Sequence, residues 1–441
     1  MKNKFLSLLS AALVLVLALS LCNGMAPVAA EEEKTEIVFW HSMGGVNGEA
    51  IDYLVNKYNE ENDKNIHVTT EFQGSYDDAI NKLKSASIGN MAADLVQVYD
   101  IGTRFMIDSG WVIPMQDLID RYDYDVTQIE PNIAAYYTVD DKLYSMPFNS
   151  STPILYYNQD MLDKAGIKEA PKSFAEIAEM AEDLMDKGGA GEPISLSIYG
   201  WFFEQFLCKQ GLPYVDNGNG REDKATKVVF DENEGALNIL KAWKDLHDQG
   251  YAPVVGRVDA GLADFVAGKS AFTIGSTASL KEILENVDNR FQVGTAYLPS
   301  VTDETDGGVS IGGASLWALN NEDEAKEEAV WDFITFMISP ASQAYWNAQT
   351  GYFPITVKAH DEDTFKENIE QFPQFMTAID QLHDSSPESQ GALISVFPEA
   401  RQIIEGEIEN MLNKDLDPEE VVKTMAEKIN KAIDEYNMIN E

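Results

Sequence analysis

Two short patterns in the sequence carry residue types at spacings that enzymes use. The stretch GVSIG at 308–312 has the spacing of a serine nucleophile, Ser310, which requires a strand before the serine and a helix after it. The residues that follow it are strand-like, so their context argues against a hydrolase. The stretch AGKSAF at 267–272 matches half of a phosphate-binding loop, but Ala263 stands where the leading glycine belongs. Neither pattern therefore predicts an active site.

Histidines and carboxylates give no clearer sign of catalysis. The 5 histidines are scattered without the spacing of metal ligands. With 74 acidic residues, close carboxylate pairs of the kind that cleave glycosides are expected by chance. We therefore predict a protein without catalytic residues, metal or cofactor. A secreted serine hydrolase or glycosidase is the alternative from another class.

Binding is indicated instead where three predicted strands end. Apolar and β-branched residues predict strands at 35–41, 66–72 and 93–100, with helices between them. This order predicts a parallel sheet, and ligands of such sheets lie beyond the carboxyl ends of the strands. Each end carries an aromatic residue beside polar ones: Trp40 with His41, Tyr76 after Gly74 and Ser75, and Tyr99 with Asp100.

A second α/β region follows the first. Residues 173–188 predict a helix, because Ser173 and Glu176 have the spacing of a capping box before an apolar stripe. Short strands and further helices are predicted beyond it: strands at 228–230 and 271–274, and helices at 234–248, 279–286, 322–339, 398–412 and 417–439. The fold class is therefore α/β.

Two segments rich in small and polar residues connect these regions, and each leads into a strand. They are MPFNSSTPILYYN at 146–158 and GGVSIGGASLWALN at 307–320. Hydroxyl groups and bare backbone suit the wall of a ligand cleft, whereas the apolar residues after them suit the core of a lobe. Because two such crossings form a hinge, we predict a two-lobed protein that closes on a small solute.

The first thirty residues have the features of an export signal. Lys2 and Lys4 precede the apolar run 5–21, and small residues end at Ala30 before three glutamates. The run is at the lower limit for a membrane span, which favours cleavage over a transmembrane anchor. Cys22 leaves a second route open, in which lipoprotein-type processing anchors the protein to a membrane. Either route predicts a periplasmic or extracellular location.

The net charge and the cysteine content argue against two kinds of ligand and against an internal disulfide. The formal net charge is −42, and loss of residues 1–30, with two lysines and no acidic residue, makes it −44. This charge argues against nucleic acid or an anionic membrane as the ligand. Cys208 is the other cysteine of the chain, so the processed protein is expected to fold without an internal disulfide.

Six stretches of the sequence together resemble one protein family over about residues 36–437. They are FWHSM, GSY, QVYD, PFNSSTPILYYN, IGGASLWAL and TGYFPIT. This combination is similar to the sugar-type extracellular solute-binding proteins of ABC importers. The resemblance implies a two-lobed periplasmic-binding-protein-like fold of type II and delivery of a solute to membrane permease subunits. It is closest to members that take glycerol phosphate, which implies glycerol 3-phosphate or a glycerophosphodiester as the solute. A neutral oligosaccharide is the alternative.

The resemblance also implies a set of ligand-binding residues. They are Tyr76, Asp100, Ser151, Ser276, Gly313, Tyr352 and Arg401, with Arg257 and Trp201 at less specific positions. In such a set, Arg401 would hold phosphate through a bidentate fork, and Asp100 would accept hydrogen bonds from two hydroxyl groups. Asp100 is one methylene shorter than the glutamate of the family, which affects how a diol would be held.

Each of these residues has a plainer alternative that the sequence leaves open. Arg401 could form an ion pair with its acidic surroundings, and Tyr352 could lie in the core. Ser151 could cap a turn. Trp201 could pack in the core, or it could stack on a sugar or a choline group.

The crossings also set the expected domain boundaries. A signal peptide is predicted at 1–30, lobe 1 at 31–148 with about 314–370, and lobe 2 at about 152–310 with about 375–441. We expect a monomer that contacts its solute and the permease but no nucleic acid.

Overall fold

The computed structural model describes most of the chain, in four stretches. The described residues are 34–86, 93–302, 307–386 and 389–439. The predicted export signal, with Cys22 and the cleavage point at Ala30, lies outside them. Among the described residues, no helix combines the length and the apolarity that a membrane crossing requires.

Eleven strands are present in the described part of the chain. In chain order they are β1 (Thr35–His41), β2 (Ile66–Phe72), β3 (Leu95–Tyr99), β4 (Thr138–Val139), β5 (Lys142–Leu143), β6 (Met146–Ser151), β7 (Pro153–Asn158), β8 (Glu192–Ser195), β9 (Ser270–Ser276), β10 (Val293–Tyr297) and β11 (Gly312–Ala318). They form a five-stranded sheet in the order β2-β1-β3-β11-β6, a four-stranded sheet in the order β10-β7-β9-β8, and the small pair β4-β5.

Helices cover both sheets. In chain order they are α1 (Gly45–Glu61), α2 (Tyr76–Ala86), α3 (Thr103–Ser109), α4 (Met115–Tyr122), α5 (Pro131–Tyr137), α6 (Gln159–Ala165), α7 (Phe174–Asp183), α8 (Gly200–Lys209), α9 (Gly235–Asp248), α10 (Ala260–Val266), α11 (Leu280–Val287), α12 (Glu324–Met337), α13 (Pro340–Thr350), α14 (Asp363–Gln371), α15 (Gln374–Asp384), α16 (Phe397–Lys414) and α17 (Pro418–Ile439). Residues Asp216–Gly220 form a turn with left-handed backbone angles.

The five-stranded sheet contains the predicted parallel unit. β1 pairs in parallel with both β2 and β3. Ile37 and Phe39 of β1 are fully buried, and α1 packs its apolar face on the same core. β11 and β6 then extend this sheet in antiparallel fashion, which places the far end of the chain beside its beginning.

The chain passes between the two large sheets at the predicted crossings. β6 ends at Ser151 in the first sheet and β7 begins at Pro153 in the second, so Thr152 alone separates them. The chain returns between β10 and β11. The chain crosses a third time between α14 and α15. The first of these helices packs on α13, whereas the second packs on β10 and β7 of the four-stranded sheet. This packing supports the predicted lobe boundaries, which stay a prediction.

The predicted strand at 228–230 is wrong. Val228 forms only an isolated bridge with Val215. The Val228 backbone N–H donates to Oδ1 of Asn430, on α17, at 2.7 Å. Because a helix side chain takes this N–H, the segment does not join a sheet, although Val228 and Phe230 are buried in the core.

The capping residue of α7 offers a local test of the fold. The Glu176 N–H donates to Ser173 Oγ at 3.2 Å, as the capping-box pattern predicts. We expect Ser173→Ala to lower the free energy of unfolding by about 1 kcal/mol, because a helix N–H loses its partner. Urea denaturation measures this change. Ser85→Ala is the control, because the Ser85 hydroxyl bonds within α2 to a carbonyl of the preceding turn. An equal loss in both variants would contradict the capping role.

Candidate functional site

One arginine and two carboxylates from three separate elements meet beyond the carboxyl end of β3. Arg401 Nε and Nη2 donate to the two carboxylate oxygens of Glu204 at 2.6 and 2.8 Å. Nη2 also donates to Asp100 Oδ2 at 3.1 Å. Only 8% of Arg401 and 4% of Asp100 is exposed. We call these three residues the Arg401 cluster.

The start of α8 is shaped to receive α16, which carries Arg401. A Cβ atom at Gly200 would lie 2.9 Å from the Cβ of Arg401, so a side chain at this position would push the two helices apart. The Gly200 N–H donates to Glu405 Oε1 at 3.0 Å, which ties the first turn of α8 to α16. Glu204 follows Gly200 by four residues and therefore lies on the same face of α8, towards Arg401.

The Arg401 cluster also connects the two sides of the molecule. Asp100 begins a short 3₁₀ turn directly after β3, a strand of the five-stranded sheet. Glu204 and Arg401 belong to α8 and α16, which pack on each other and on α9. The hydrogen bond from Arg401 to Asp100 therefore joins the two predicted lobes.

Burial governs protonation within the cluster. Burial raises the pKa of Glu204 to about 6, although Arg401 opposes the shift. Burial likewise raises the pKa of Asp100 against the effect of Arg401. Burial alone would lower the pKa of Arg401, but Glu204 and Asp100 raise it well above its usual value. Burial therefore favours the protonated form of both carboxyl groups, and the charge of Arg401 favours the ionised form.

The raised pKa of Glu204 predicts a pH dependence of stability. Its carboxyl group binds a proton more tightly in the folded than in the unfolded protein, so its stabilising effect is complete below the unfolded value of 4.5 and is lost as the pH rises through about 6. This loss corresponds to about 2 kcal/mol. We expect the difference in free energy of unfolding between wild type and Glu204→Gln to fall by that amount across this range. Urea denaturation at several pH values measures it, and a flat difference would contradict the prediction.

Tyr76 and Tyr352 lie together beside the cluster. Asn149 Nδ2 donates to the Tyr76 hydroxyl oxygen at 2.9 Å. Burial raises the pKa of Tyr352, and hydrogen bonds with Asn149 and Tyr76 oppose the shift. Burial raises the pKa of both tyrosines, and the Asp100 carboxylate adds a smaller effect in the same direction. Each ring also stacks on a second aromatic ring, with centroid distances of 5.3 and 5.6 Å.

Ser151, Ser276 and Gly313 come together where the chain crosses between sheets. Ser151 ends β6 beside β11, and Ser276 ends β9 beside β7. The Ser276 hydroxyl accepts from the Ala278 N–H at 3.2 Å and so caps the next turn. Gly313 has φ +95°, and a Cβ there would lie 1.9 Å from the Asn149 carbonyl oxygen. Only glycine allows this approach of β11 to β6.

Trp201 packs against the same crossing from α8. A Cβ at Gly312 would lie 2.6 Å from its indole ring, so the ring covers the backbone of β11. The side chain is buried, and its Nε1 has no hydrogen-bond partner within the described stretches. Trp201 therefore combines a core position with an N–H donor at the crossing.

Arg257, which precedes α10 in the chain, contacts α16 beyond the Arg401 cluster. Its guanidinium pairs with Glu405 at 3.4 Å and with Glu409 at 2.6 Å, and 42% of its side chain is exposed. These carboxylates are one and two turns beyond Arg401. Of the other eight predicted residues, Asp100 and Arg401 belong to the cluster, and the remaining six lie around it or at the adjacent crossing. The role of all nine in ligand binding stays a prediction.

Sequence reasoning did not single out Glu204 and Asn149. Glu204 is the one charged residue in GWFFEQFLC at 200–208, and a lone charge in an apolar helix indicates a buried partner. Its partner lies 197 residues away, which no local pattern shows. Asn149 stands in the first crossing segment, beside the predicted Ser151, and the same composition could have indicated it.

The serine pattern at 308–312 has a structural role in this fold. It leads directly into β11, whereas a nucleophile requires a helix after the serine. Gln205 Nε2 donates to Ser310 Oγ at 2.9 Å, and Gln205 Oε1 accepts from the Ser310 N–H at 3.1 Å. Both bonds attach the segment before β11 to α8.

The sequence is similar to one described family and to named members of it. A model of bacterial extracellular solute-binding proteins matches residues 53–374. The sn-glycerol-3-phosphate-binding periplasmic protein UgpB of Escherichia coli K12 is 31% identical over 428 residues, which cover 94% of this chain and 96% of that protein. The protein of the same name from Shigella flexneri is 30% identical with the same coverage.

Solved structures share the fold. UgpB from Mycobacterium tuberculosis, in complex with glycerophosphocholine, superposes with a TM-score of 0.78 at 24% identity and covers 92% of this chain and 100% of its own. The cyclic alpha-maltosyl-1,6-maltose binding protein from Arthrobacter globiformis gives 0.74 at 20% identity, covering 91% and 99%. The sugar-binding protein MalE from Xanthomonas citri gives 0.72 at 19%, covering 92% and 99%. These similarities confirm the predicted two-lobed α/β fold.

Proposed function

The chain belongs to the bacterial extracellular solute-binding proteins, and from this premise we propose that it captures glycerol 3-phosphate or a glycerophosphodiester between its lobes. It is the solute-binding component of an ABC importer and delivers its solute to the permease. The description of the family and the periplasmic names of its relatives confirm the predicted location at the cell surface or in the periplasm. Cleavage after Ala30 and lipidation of Cys22 stay predictions.

The observation that carries the choice of solute is the buried Arg401 beside Asp100. A buried guanidinium supplies the positive charge that a phosphate requires, and the adjacent carboxylate can accept hydrogen bonds from glycerol hydroxyl groups. Tyr76 and Tyr352 add apolar faces with polar ends at the same place. The names of the relatives, which bind sn-glycerol 3-phosphate, support this reading.

We propose that the protein binds its solute without transforming it. The relatives are named as binding proteins, and the serine pattern at 308–312 lacks the helix that a nucleophile requires. Neither pair of hydrolysis products, glycerol 3-phosphate with choline or glycerol with phosphocholine, should therefore form when glycerophosphocholine is incubated with the protein. Their appearance would contradict the proposal.

A neutral oligosaccharide is the second candidate solute. The rings of Tyr76 and Tyr352 would suit the faces of a sugar, and two of the solved structures of this fold are named as maltose- or sugar-binding proteins. The sugar reading leaves the buried charge of Arg401 without a purpose in binding, which is why it ranks second.

Thermal unfolding in the presence of candidate solutes tests the proposed function. A solute at a hundred times its dissociation constant adds about 2.7 kcal/mol to stability, which is readily measured. We expect stabilisation by at least one of glycerol 3-phosphate and glycerophosphocholine. Glycerol alone and maltotriose serve as controls. Stabilisation by maltotriose with no effect of either phosphate would overturn the choice of solute and favour the sugar candidate.

A further inference from the structure

The segment that leads from α15 to α16 lies against both predicted lobes. Its residues 390–396 contain no helix or strand, yet residues 392–394 are buried. The segment lines a small cavity together with Asp100 and Glu204, which belong to opposite lobes. It therefore covers one side of the Arg401 cluster. We call residues 390–396 the strap.

Arg221 connects the strap to the opposite lobe. Its Nε and Nη2 donate to the backbone carbonyl oxygens of Gly391 and Gln390, at 3.0 and 3.1 Å. Its Nη1 donates to the carbonyl oxygen of Tyr136 at 3.1 Å. Tyr136 belongs to α5, which packs on β6 of the five-stranded sheet. The guanidinium carbon also lies 5.1 Å from the centroid of the Tyr136 ring. One side chain therefore bonds to the strap and to the other predicted lobe.

The charge of Arg221 makes its bond to Tyr136 important for closure. Burial lowers the pKa of Arg221 to about 10, so the guanidinium keeps its charge at neutral pH. A charged group that is removed from water needs hydrogen-bond partners in its place. If the lobes moved apart, the carbonyl group and the ring of Tyr136 would leave the guanidinium. The bond therefore stabilises the closed arrangement of the lobes.

A second hydrogen bond attaches the other end of the strap to the same lobe. The Ser395 hydroxyl donates to Asp108 Oδ2 at 2.7 Å. Asp108 belongs to α3, which follows β3 of the five-stranded sheet. Arg104 Nε donates to Asp108 Oδ1 at 3.0 Å, and the Tyr436 hydroxyl of α17 donates to Oδ2 at 3.4 Å. Only 11% of the Asp108 side chain is exposed, so water competes little for these bonds.

From these contacts we propose that Arg221 and Ser395 stabilise the closed state through the strap and thereby set the affinity for the solute without contacting it. Both act as positioning residues, and neither is among the nine predicted ligand-binding residues. The inference rests on the proposed capture of a solute between the lobes, but not on the choice of solute. Because the solute is held by the closed state, its apparent affinity falls when closure becomes less favourable.

Calorimetric titration of Arg221→Met with glycerol 3-phosphate and with glycerophosphocholine tests the inference. Methionine keeps most of the length of the side chain but removes its charge and its donors. We expect both dissociation constants to rise about tenfold, with their ratio and the stoichiometry of one solute per protein unchanged. Stopped-flow measurement should show faster dissociation of both solutes.

Arg290→Met is the matched control. Arg290 also donates to three backbone carbonyl groups, those of residues 266, 286 and 287, but all of them lie in one predicted lobe. Its affinities should therefore equal those of the wild type. Unchanged affinities in Arg221→Met, an equal loss in the control, or a changed ratio between the two solutes would overturn the inference.

Ser395→Ala provides a second test that does not depend on the folding of Arg221→Met. Loss of its single bond across the lobes should weaken both solutes about threefold, again with an unchanged ratio. Wild-type affinities in this variant would overturn the role of Ser395. Binding of maltotriose alone to the wild type would instead overturn the proposed solute, and the same comparison of variants with maltotriose would then test the strap.

Discussion

Arg401→Met is expected to lower the free energy of unfolding by about 3–5 kcal/mol and to abolish binding of phosphate-bearing solutes. Methionine keeps most of the length of the side chain, but it leaves Glu204 and Asp100 as buried carboxylates without their positive partner. Two buried carboxylates without a positive partner cost more free energy than the loss of one ion pair between exposed groups. Urea denaturation measures the stability, and thermal unfolding with glycerol 3-phosphate and glycerophosphocholine measures the binding.

Two companion variants separate stability from binding at this position. Arg257→Met breaks ion pairs whose arginine is 42% exposed, so it should cost no more than about 1 kcal/mol. The double variant Arg401→Met with Glu204→Gln removes one of the stranded carboxylates. It should regain part of the stability and still fail to respond to either phosphate. Equal losses of stability in Arg401→Met and Arg257→Met would contradict the argument from burial.

Gly313→Ala is expected to lower the free energy of unfolding by about 3 kcal/mol and to weaken solute binding. The backbone has φ +95°, which disfavours alanine, and the new methyl group would lie 1.9 Å from the Asn149 carbonyl oxygen. β11 would therefore have to move away from β6, and Asn149 with it. Since Asn149 bonds to Tyr76, the disturbance would reach the predicted site. Urea denaturation and calorimetric titration measure the two effects.

Gly110→Ala separates the two causes of this loss. Gly110 ends α3 with φ +68°, and no atom lies within 4 Å of the Cβ that alanine would add. The variant therefore carries the backbone strain alone, and we expect a loss of about 1 kcal/mol. If Gly313→Ala cost no more than Gly110→Ala, the close approach of β11 to β6 would not matter to stability.

The elements with clear local signals could be predicted from the sequence. Predicted strands 35–41 and 66–72 match β1 and β2 residue for residue. The helix that the spacing predicts at 76–87 matches α2 over Tyr76–Ala86, and residue 87 lies outside the described residues. This helix could be predicted because its hydrophobic spacing and its starting residues are both local signals. The two crossings were predicted as well, since their composition changes abruptly from polar to apolar.

Elements whose signal is weak or distant were missed. The prediction did not contain α8, because eight of its ten residues are buried and no polar face marks a helical period. The antiparallel addition of β11 to β3 joins residues about two hundred positions apart, which no local pattern encodes. The wrong strand at 228–230 has the same origin, since Asn430 takes the backbone N–H of Val228.

The predicted site shows the same division between local and distant information. Resemblance to a family pointed to Arg401 and Asp100, whose side chains the structure places 3.1 Å apart across 301 residues. Charge counting had predicted that acidic surroundings could pair with Arg401, and the structure names Glu204 and Asp100 as the partners. The identity of Glu204 could not follow from the sequence, because it depends on how α8 packs against α16.

The hydrogen bonds of Arg401 to Glu204 and Asp100 have a consequence for the transport cycle. If Arg401 binds the solute as we propose, these carboxylates would replace the solute at the guanidinium after its release. Release at the permease would then leave no unpaired cation, and the affinity would reflect an exchange of one anion for another. Such a receptor would bind its solute less tightly but release it more readily.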